Sequence, residues 1–101
     1  TVLVRAVGPT LATAFGIGGT MADPKLELFS ESGVKLAEND NWGGTPALVN
    51  ANTATGAFSP VVASSKDAAL VITLAPGNYS ARASGVNGGG GTAIVEVYEV
   101  P

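Results

Sequence analysis

The segment Asp23–Trp42, with the sequence DPKLELFSESGVKLAENDNW, constrains the fold more than any other part of the chain. Apolar side chains alternate with polar ones along two short runs, with Leu26 and Leu28 in the first and Val34 and Leu36 in the second. A serine-glycine turn separates the runs. Alternation with a period of two predicts a β-hairpin with one buried face. This pattern is typical of a scaffold and carries no catalytic signature.

The same reading predicts six strands over the whole chain. They are Val2–Val7, Lys25–Phe29, Val34–Glu38, Ala68–Leu74, Asn78–Ser84 and Thr92–Val100. The first strand is apolar nearly throughout, which predicts that it is covered on both faces. The last three strands are expected to form a meander. Together these strands predict an all-β protein, an antiparallel two-layer β-sandwich of jelly-roll-like type, in a single domain of residues 1–101.

Little helix is expected. Thr45 as N-cap and Pro46 in the first turn predict one short helix over Ala47–Ala51, which we expect to cross one open end of the sandwich. The segment Thr10–Thr20 contains LATAF and IGG, which fit a short helical turn and a glycine-rich link equally well, and we assign it as irregular. The glycine-rich segment Gly85–Gly91 is predicted to be a flexible loop tip that does not pack.

Strand alternation also predicts which side chains form the core. The predicted core residues are Leu26, Leu28, Leu36, Val71, Tyr79, Val95 and Val97. In the last strand this assignment places Ile94, Glu96 and Tyr98 on the outer face, where Ile94 and Tyr98 would leave an apolar patch. Arg5 interrupts the apolar first strand, so a structural ion pair with Glu96, Glu99 or Asp67 is predicted.

Charge is scarce on this chain. Charged residues make up 13% of the sequence, against about 25% in typical globular domains. Such a surface gives little protection against association between copies. The net charge is −3 and the five basic residues are scattered, so nucleic acid is not an expected partner. The apolar runs are far shorter than the ~20 residues that span a bilayer, so membrane insertion is not expected either.

The missing residue types argue against catalysis. The chain has no histidine and no cysteine, which excludes a Ser-His-Asp triad, a thiolate nucleophile and a His-ligated zinc site. A carboxylate pair such as Asp23 and Asp40 has the chemistry to hydrolyse a glycosidic bond, but the short loops offer little cleft for a substrate. We therefore predict that the protein is not an enzyme.

Two interpretations remain open for Asn39, Asp40 and Asn41. Carboxylate and amide oxygens on one turn, joined by Asp23 or Asp67 from a neighbouring loop, suit the six to eight oxygen ligands of Ca²⁺. Asn and Asp side chains also bond their own backbone in turns, and in that interpretation the following tryptophan caps the edge of the core. No other cofactor is predicted.

The order LELFSESGVKLAENDNW, a linker, and then DAALVITLAPGNYSARASGVNGGGGTAIVEVYEV resembles a known kind of domain. It is similar to the bacterial pre-peptidase C-terminal type of β-sandwich, and more closely to repeated secreted modules of environmental bacteria that carry an NDNW element. The resemblance implies a non-catalytic sandwich of secreted and cell-surface proteins, often in tandem, with calcium bound by aspartates in some relatives. Where relatives of the first type often carry two or three acidic residues, this chain has Asn39-Asp40-Asn41.

These observations favour a structural module of a bacterial extracellular or cell-surface assembly, either a filament subunit or a tandem repeat. Its partners would be copies of itself or neighbouring modules, contacted through the first or last strand. The predicted interface residues are Val2, Val4, Ile94, Tyr98 and Val100. The alternative is a calcium-stabilised accessory module that binds carbohydrate or protein within a secreted protein.

Overall fold

The computed structural model of the chain describes residues 1–58 and 63–101. In chain order the elements are β1 (Val2–Val7), α1 (Pro9–Phe15), β2 (Pro24–Ser30), β3 (Lys35–Asn39), α2 (Pro46–Thr55), β4 (Ala68–Ile72), β5 (Tyr79–Gly85), a 3₁₀ turn (Val86–Gly88) and β6 (Ile94–Glu99). All six predicted strands are present within a few residues of their expected bounds. The described residues contain two α-helices rather than one.

The strands form two antiparallel sheets of three, in the orders β4-β1-β6 and β3-β2-β5. We call them the β1 sheet and the β2 sheet after their central strands. Leu26 and Leu28 of β2 pack between the sheets against Val4, Ala6 and Leu70. The all-β, antiparallel two-layer sandwich is therefore confirmed, with β1 buried along most of its length as predicted.

The predicted meander of the last three strands is wrong. β5 pairs with β2, whereas β4 and β6 both pair with β1. The turn that contains Pro76 and Gly77 carries the chain from one sheet to the other, so β4 and β5 are consecutive in sequence but lie in different layers. Both β4 and β6 thereby become edges of the β1 sheet, with β1 between them.

Helix α2 begins at the predicted residues, but its position in the fold differs from the prediction. The Thr45 hydroxyl accepts a hydrogen bond from the Leu48 amide at 3.4 Å, which satisfies one of the free amides of the first turn. The helix packs on the outer face of the β1 sheet, where Leu48 and Ala51 join Leu3 and Trp42 in a second apolar cluster. The prediction that it crosses an open end of the sandwich is therefore wrong, since this face of the sheet is itself apolar and needs cover.

Helix α1 occupies the first part of the segment Thr10–Thr20, so of the two alternatives the helical one is present there and the irregular assignment is wrong as far as Phe15. The residue at its N-cap, Gly8, has no side chain to accept from the first amides, and Asp67 accepts from them instead. The Asp67 Oδ1 atom accepts hydrogen bonds from the amides of Gly8 (2.8 Å) and Thr10 (3.2 Å), and Oδ2 accepts from the Thr10 and Ser65 hydroxyls. A buried carboxylate at a helix N-terminus satisfies the free amides there and is favoured by the helix dipole. The Asp67 carboxylate thus caps the N-terminus of α1.

Five of the seven predicted core residues are exposed. Leu26 and Leu28 are buried, whereas the others are between 36% and 62% exposed: Leu36, Val71, Tyr79, Val95 and Val97. Leu36 is the extra residue of a β-bulge opposite the Leu28–Phe29 step, so it leaves the inward alternation of its strand. Val71 lies on the outer face of an edge strand, and Tyr79 begins β5 at the rim.

The glycine-rich tip makes close backbone contacts at its two ends, Gly85 and Gly91, contrary to the prediction, although residues 87–91 are exposed. Gly91 has φ +128, and a Cβ there would come within 2.7 Å of the Met21 backbone nitrogen. The adjacent Thr92 donates its amide to the Gly19 carbonyl (2.9 Å) and accepts from the Met21 amide (2.8 Å). Glycine is required at this position because the tip and the segment before β2 approach each other backbone to backbone.

Candidate functional site

Strand β6 is an open edge of the β1 sheet. Val100 directly follows the strand and donates its amide to the Thr1 carbonyl at 2.9 Å. With the pairing of β1 and β6, this bond shows which residues of β6 direct their backbone groups toward β1 and which direct them away. Because the direction of backbone groups alternates along a strand, the N–H and C=O groups of Val95, Val97 and Glu99 point away from β1. Among residues 1–58 and 63–101, no strand pairs with this side of β6.

The core-facing side of β6 is also uncovered. Val95 and Val97 pair with Ala6 and Val4, so their side chains project on the same face as those two core residues. Nevertheless Val95 is 42% and Val97 is 62% exposed. The buried cluster between the sheets comes from β1, β2 and β4, so the β2 sheet does not cover β6. The sandwich is open on the side where β5 and β6 run.

An apolar groove follows this opening. It has a volume of about 390 Å³ and runs between the two sheets. Val2, Leu74 and Val97 line it from one side, and Leu28 and Ala81 from the other. The groove is therefore continuous with the exposed side chains of β6, and an apolar segment placed there would extend the core.

The opposite side of the sandwich is closed by the segment Asn39–Trp42. The Asn39 Oδ1 atom accepts the Ala69 amide of β4 at 3.1 Å, and the Trp42 amide donates to the Asp67 carbonyl at 2.9 Å. These bonds occupy two backbone groups that point away from β1, the Ala69 amide of β4 and the carbonyl of Asp67 just before the strand. The NDNW element therefore joins β3 to β4 through these two hydrogen bonds, and we call this link the clasp. The indole of Trp42 is buried beside it, as the turn interpretation predicts.

The predicted calcium ligands form a hydrogen-bonded turn. Asn39 donates its Nδ2 to the Asn41 carbonyl at 3.0 Å, and Asn41 donates its Nδ2 to Asp40 Oδ1 at 3.1 Å. Asp23 precedes β2; its carbonyl accepts the Val86 amide at 2.9 Å, and its Oδ1 is buried without a hydrogen-bond partner in the described part of the chain. The described residues hold no cluster of three or more acidic side chains suited to a metal. Calcium binding stays a prediction.

Edge strand β3 carries charged side chains and a β-bulge, which hinder pairing with another strand. Lys35 donates to Glu27 (3.2 Å) and to Glu38 (3.0 Å), and Lys25 pairs with Glu38 at 3.1 Å. Hydrogen bonds to Glu38 and then Glu27 raise the pKa of Lys35, while the two lysines lower the pKa of Glu38. Charges and a β-bulge on an edge strand are devices that prevent another chain from pairing with it.

A buried polar cluster holds β6 to β1 on the outer face of the β1 sheet. Arg5 is 1% exposed; its Nε and Nη2 donate to Glu96 Oε1 at 3.0 and 2.6 Å, and its Nη1 donates to Asn52 Oδ1 and to the Phe58 carbonyl. The guanidinium lies 4.5 Å from the ring centroid of Phe58. The Tyr98 hydroxyl donates to Glu96 Oε2 at 2.5 Å, and this bond, more than burial, raises the pKa of Tyr98. Glu96 as the partner of Arg5 is confirmed.

The five predicted interface residues fall into different environments. Ile94 is exposed, and Val2 is half-buried at the groove. Tyr98 and Val100 are half-buried against the α2 cluster, so the predicted apolar patch on this face reduces to Ile94. Val4 is a core residue at 1% exposure and contributes no side chain to a surface.

The largest apolar exposure on β6 is therefore on the face that the sequence assigns to the core. Alternation correctly separates Val95 and Val97 from Ile94 and Tyr98. It does not say which of the two faces the rest of the fold covers. Two features of the sequence could have indicated that Val97 lies on an open edge. The chain has few charged residues, and its last strand contains two valines but neither lysine nor proline.

Comparisons with known proteins give no relative from which a function could be inferred. No family model, no curated protein and no solved structure matches the chain. Within the described residues, no helix is long and apolar enough to cross a membrane.

Proposed function

We propose that this chain is a non-catalytic β-sandwich module of an extracellular or cell-surface assembly, which joins a copy of itself or a neighbouring module through the open side of its sandwich. The observation that carries the proposal is the position of Val97. This side chain projects on the core-facing side of β6, yet it is 62% exposed beside unpaired backbone groups. The extracellular setting rests on the resemblance to bacterial secreted modules.

The energetics favour occupation of this side. Full burial of an exposed valine side chain contributes roughly 1.5–3 kcal/mol, and with Val95 42% and Val97 62% exposed about half of that remains to be gained at each. The backbone groups of an open edge are a template for another strand, and β6 carries neither lysine nor proline to prevent such pairing. The two glutamates of β6 are the charges that a partner would have to accommodate.

Sedimentation of the purified chain over a range of concentrations tests the proposal. We expect the wild-type chain to associate as concentration rises. Val97→Lys should abolish association while the β-type circular dichroism spectrum stays unchanged. Val34→Lys is the matched control, because Val34 is 59% exposed at the start of the protected β3 edge, and this variant should associate like the wild type. A wild-type chain that stays monomeric throughout, or equal loss in both variants, would refute the proposal.

A second candidate function has one observation in its favour. A depression of about 620 Å³ on the outer side of the β2 sheet is lined by polar groups that include Lys25, Glu38, Asp40 and Asn87. Such donors and acceptors suit the hydroxyls of a carbohydrate, as expected for an accessory binding module. None of the described residues that line the depression is aromatic, so the usual stacking platform for a sugar ring is missing there. A glycan-array screen with Asp40→Ala as control tests this function.

A further inference from the structure

The four edge strands of the sandwich differ in how well they resist pairing. β4 is clasped by Asn39, and β3 carries the Lys35 charge network and a bulge. β5 presents Tyr79 at its first residue and otherwise small side chains and Arg82, and the Gly89 carbonyl folds back against Gly85 at its end. Among the strands of the described residues, β6 has the largest apolar exposure beside free backbone groups, with Val97 at 62%, Ile94 at 44% and Val95 at 42%. If two copies meet, each therefore offers β6 as its least protected edge.

Two identical strands can pair only in registers that match their hydrogen-bonding phase. In an antiparallel pair, opposite residues must both point toward the partner strand or both point away from it. Because Val95, Val97 and Glu99 point outward, a symmetric β6 pair has its two-fold axis at a residue and never between residues. An axis at Glu96 or Val97 gives an opposite residue to all but one residue of β6, whereas an axis at any other residue of the strand does so for at most three.

Charge and hydrogen bonding then select one register. An axis at Glu96 leaves the outward backbone groups of Glu99 without an opposite residue within β6, and it brings the two Glu96 carboxylates, each ion-paired with its own Arg5, opposite each other. An axis at Val95 leaves Val97, Tyr98 and Glu99 without an opposite residue within β6. With the axis at Val97, Glu96 lies opposite Tyr98 of the second copy, and all three outward residues find partners, Val97 with its own copy and Val95 with Glu99.

We propose that β6 pairs antiparallel with β6 of a second copy, with Val97 on the two-fold axis. This inference rests on the proposed function and names its partner and register. Two three-stranded β1 sheets become one continuous sheet of the order β4-β1-β6-β6-β1-β4. Val95 and Val97 of both copies form one apolar strip on the core-facing side. Such an interface is isologous and closes on itself as a dimer.

Single-cysteine variants test the register, because the wild-type chain has no cysteine. Residues on the axis of a hydrogen-bonded pair have Cα atoms about 5.5 Å apart, within the range that a disulfide spans. We expect Val97→Cys to form a disulfide-linked dimer on mild oxidation, at a yield several-fold above that of the equally exposed Val34→Cys control. Val95→Cys should not cross-link with itself, since its two copies lie roughly 14 Å apart along the strands.

The alternative registers give distinct results. Self-cross-linking of Val95→Cys would place the axis at Val95, and a mixed disulfide between Val95→Cys and Val97→Cys would place it at Glu96. Either result, with Val97→Cys inert and the wild type still associating in sedimentation, overturns the register and leaves the assembly function standing. Cross-linking of Val97→Cys no greater than that of Val34→Cys in a wild type that associates would show that copies meet by another surface. A wild type that never associates would refute the proposed function as well.

Discussion

Arg5 of β1 and Glu96 of β6 lie directly opposite each other, and the guanidinium donates two hydrogen bonds, of 3.0 and 2.6 Å, to the same carboxylate oxygen. The arginine side chain is 2% exposed and that of the glutamate is 17% exposed. Removal of this pair from water carries a desolvation cost, which close contacts and further hydrogen bonds offset. The pair fixes β6 firmly to β1, so its other edge is presented as an ordered strand.

Glu96→Gln should strongly destabilise the fold, because it leaves the buried guanidinium of Arg5 without its counter-charge. Removal of one partner from a buried ion pair typically costs about 3–5 kcal/mol. Urea unfolding followed by the fluorescence of Trp42 measures the change. Glu99→Gln, on the exposed side of the same strand, should change the free energy of unfolding by less than about 0.5 kcal/mol. Equal effects from the two substitutions would show that the Arg5 pair contributes no special stability.

Tyr98 should ionise at a higher pH in the folded chain than in the unfolded one, because its hydroxyl donates to the Glu96 carboxylate. The Tyr79→Phe variant leaves Tyr98 as the sole tyrosine, so the ultraviolet absorbance change on phenolate formation reports this group alone. A raised folded pKa means that the bond stabilises the fold fully below the ordinary value of 10.0 and that this stability is lost as pH rises through the folded pKa.

The comparison is between titrations in buffer and in concentrated urea. In buffer the transition should lie higher, and Glu96→Gln in the same background should move it down. Coincident curves in buffer and urea would contradict the hydrogen bond between Tyr98 and Glu96.

The strands could be predicted from the sequence because alternation depends only on residues that are neighbours in the chain. Which layer of the fold covers each face of a strand depends on residues that are distant in the chain. Leu26 and Leu28 are buried as predicted, since both neighbours of β2 are present and the β1 sheet lies above them. Val97 follows the same alternation, but no layer lies over it. The helix cap of α1 shows the same limit, because Asp67 reaches Gly8 from 59 residues away in the chain. The ion pair of Arg5 was predictable because a buried charge needs a partner wherever that partner lies.

Asp67→Ala should destabilise the protein by about 1–3 kcal/mol, because it leaves the amides of Gly8 and Thr10 buried without an acceptor. Thermal unfolding and urea unfolding both measure this loss. Asp40→Ala is the matched control, since Asp40 is exposed in a turn and accepts from one neighbouring amide group. The control should lie within about 0.5 kcal/mol of the wild type. A neutral Asp67→Ala would show that α1 does not depend on this carboxylate.

Asn39→Ala separates the two interpretations of the NDNW element. Asn39 Oδ1 accepts the buried Ala69 amide, so its loss should lower the free energy of unfolding by about 1–3 kcal/mol, equally in calcium and in chelator. Loss of the clasp also frees the β4 edge, so the variant should associate more strongly than the wild type in sedimentation. Asp40→Asn, which keeps the Asn39 bond and removes the carboxylate, should match the wild type in both respects. If instead calcium raises the melting temperature of the wild type by several degrees and both variants lose that increase, the turn is a metal site, because binding to the native state alone stabilises it.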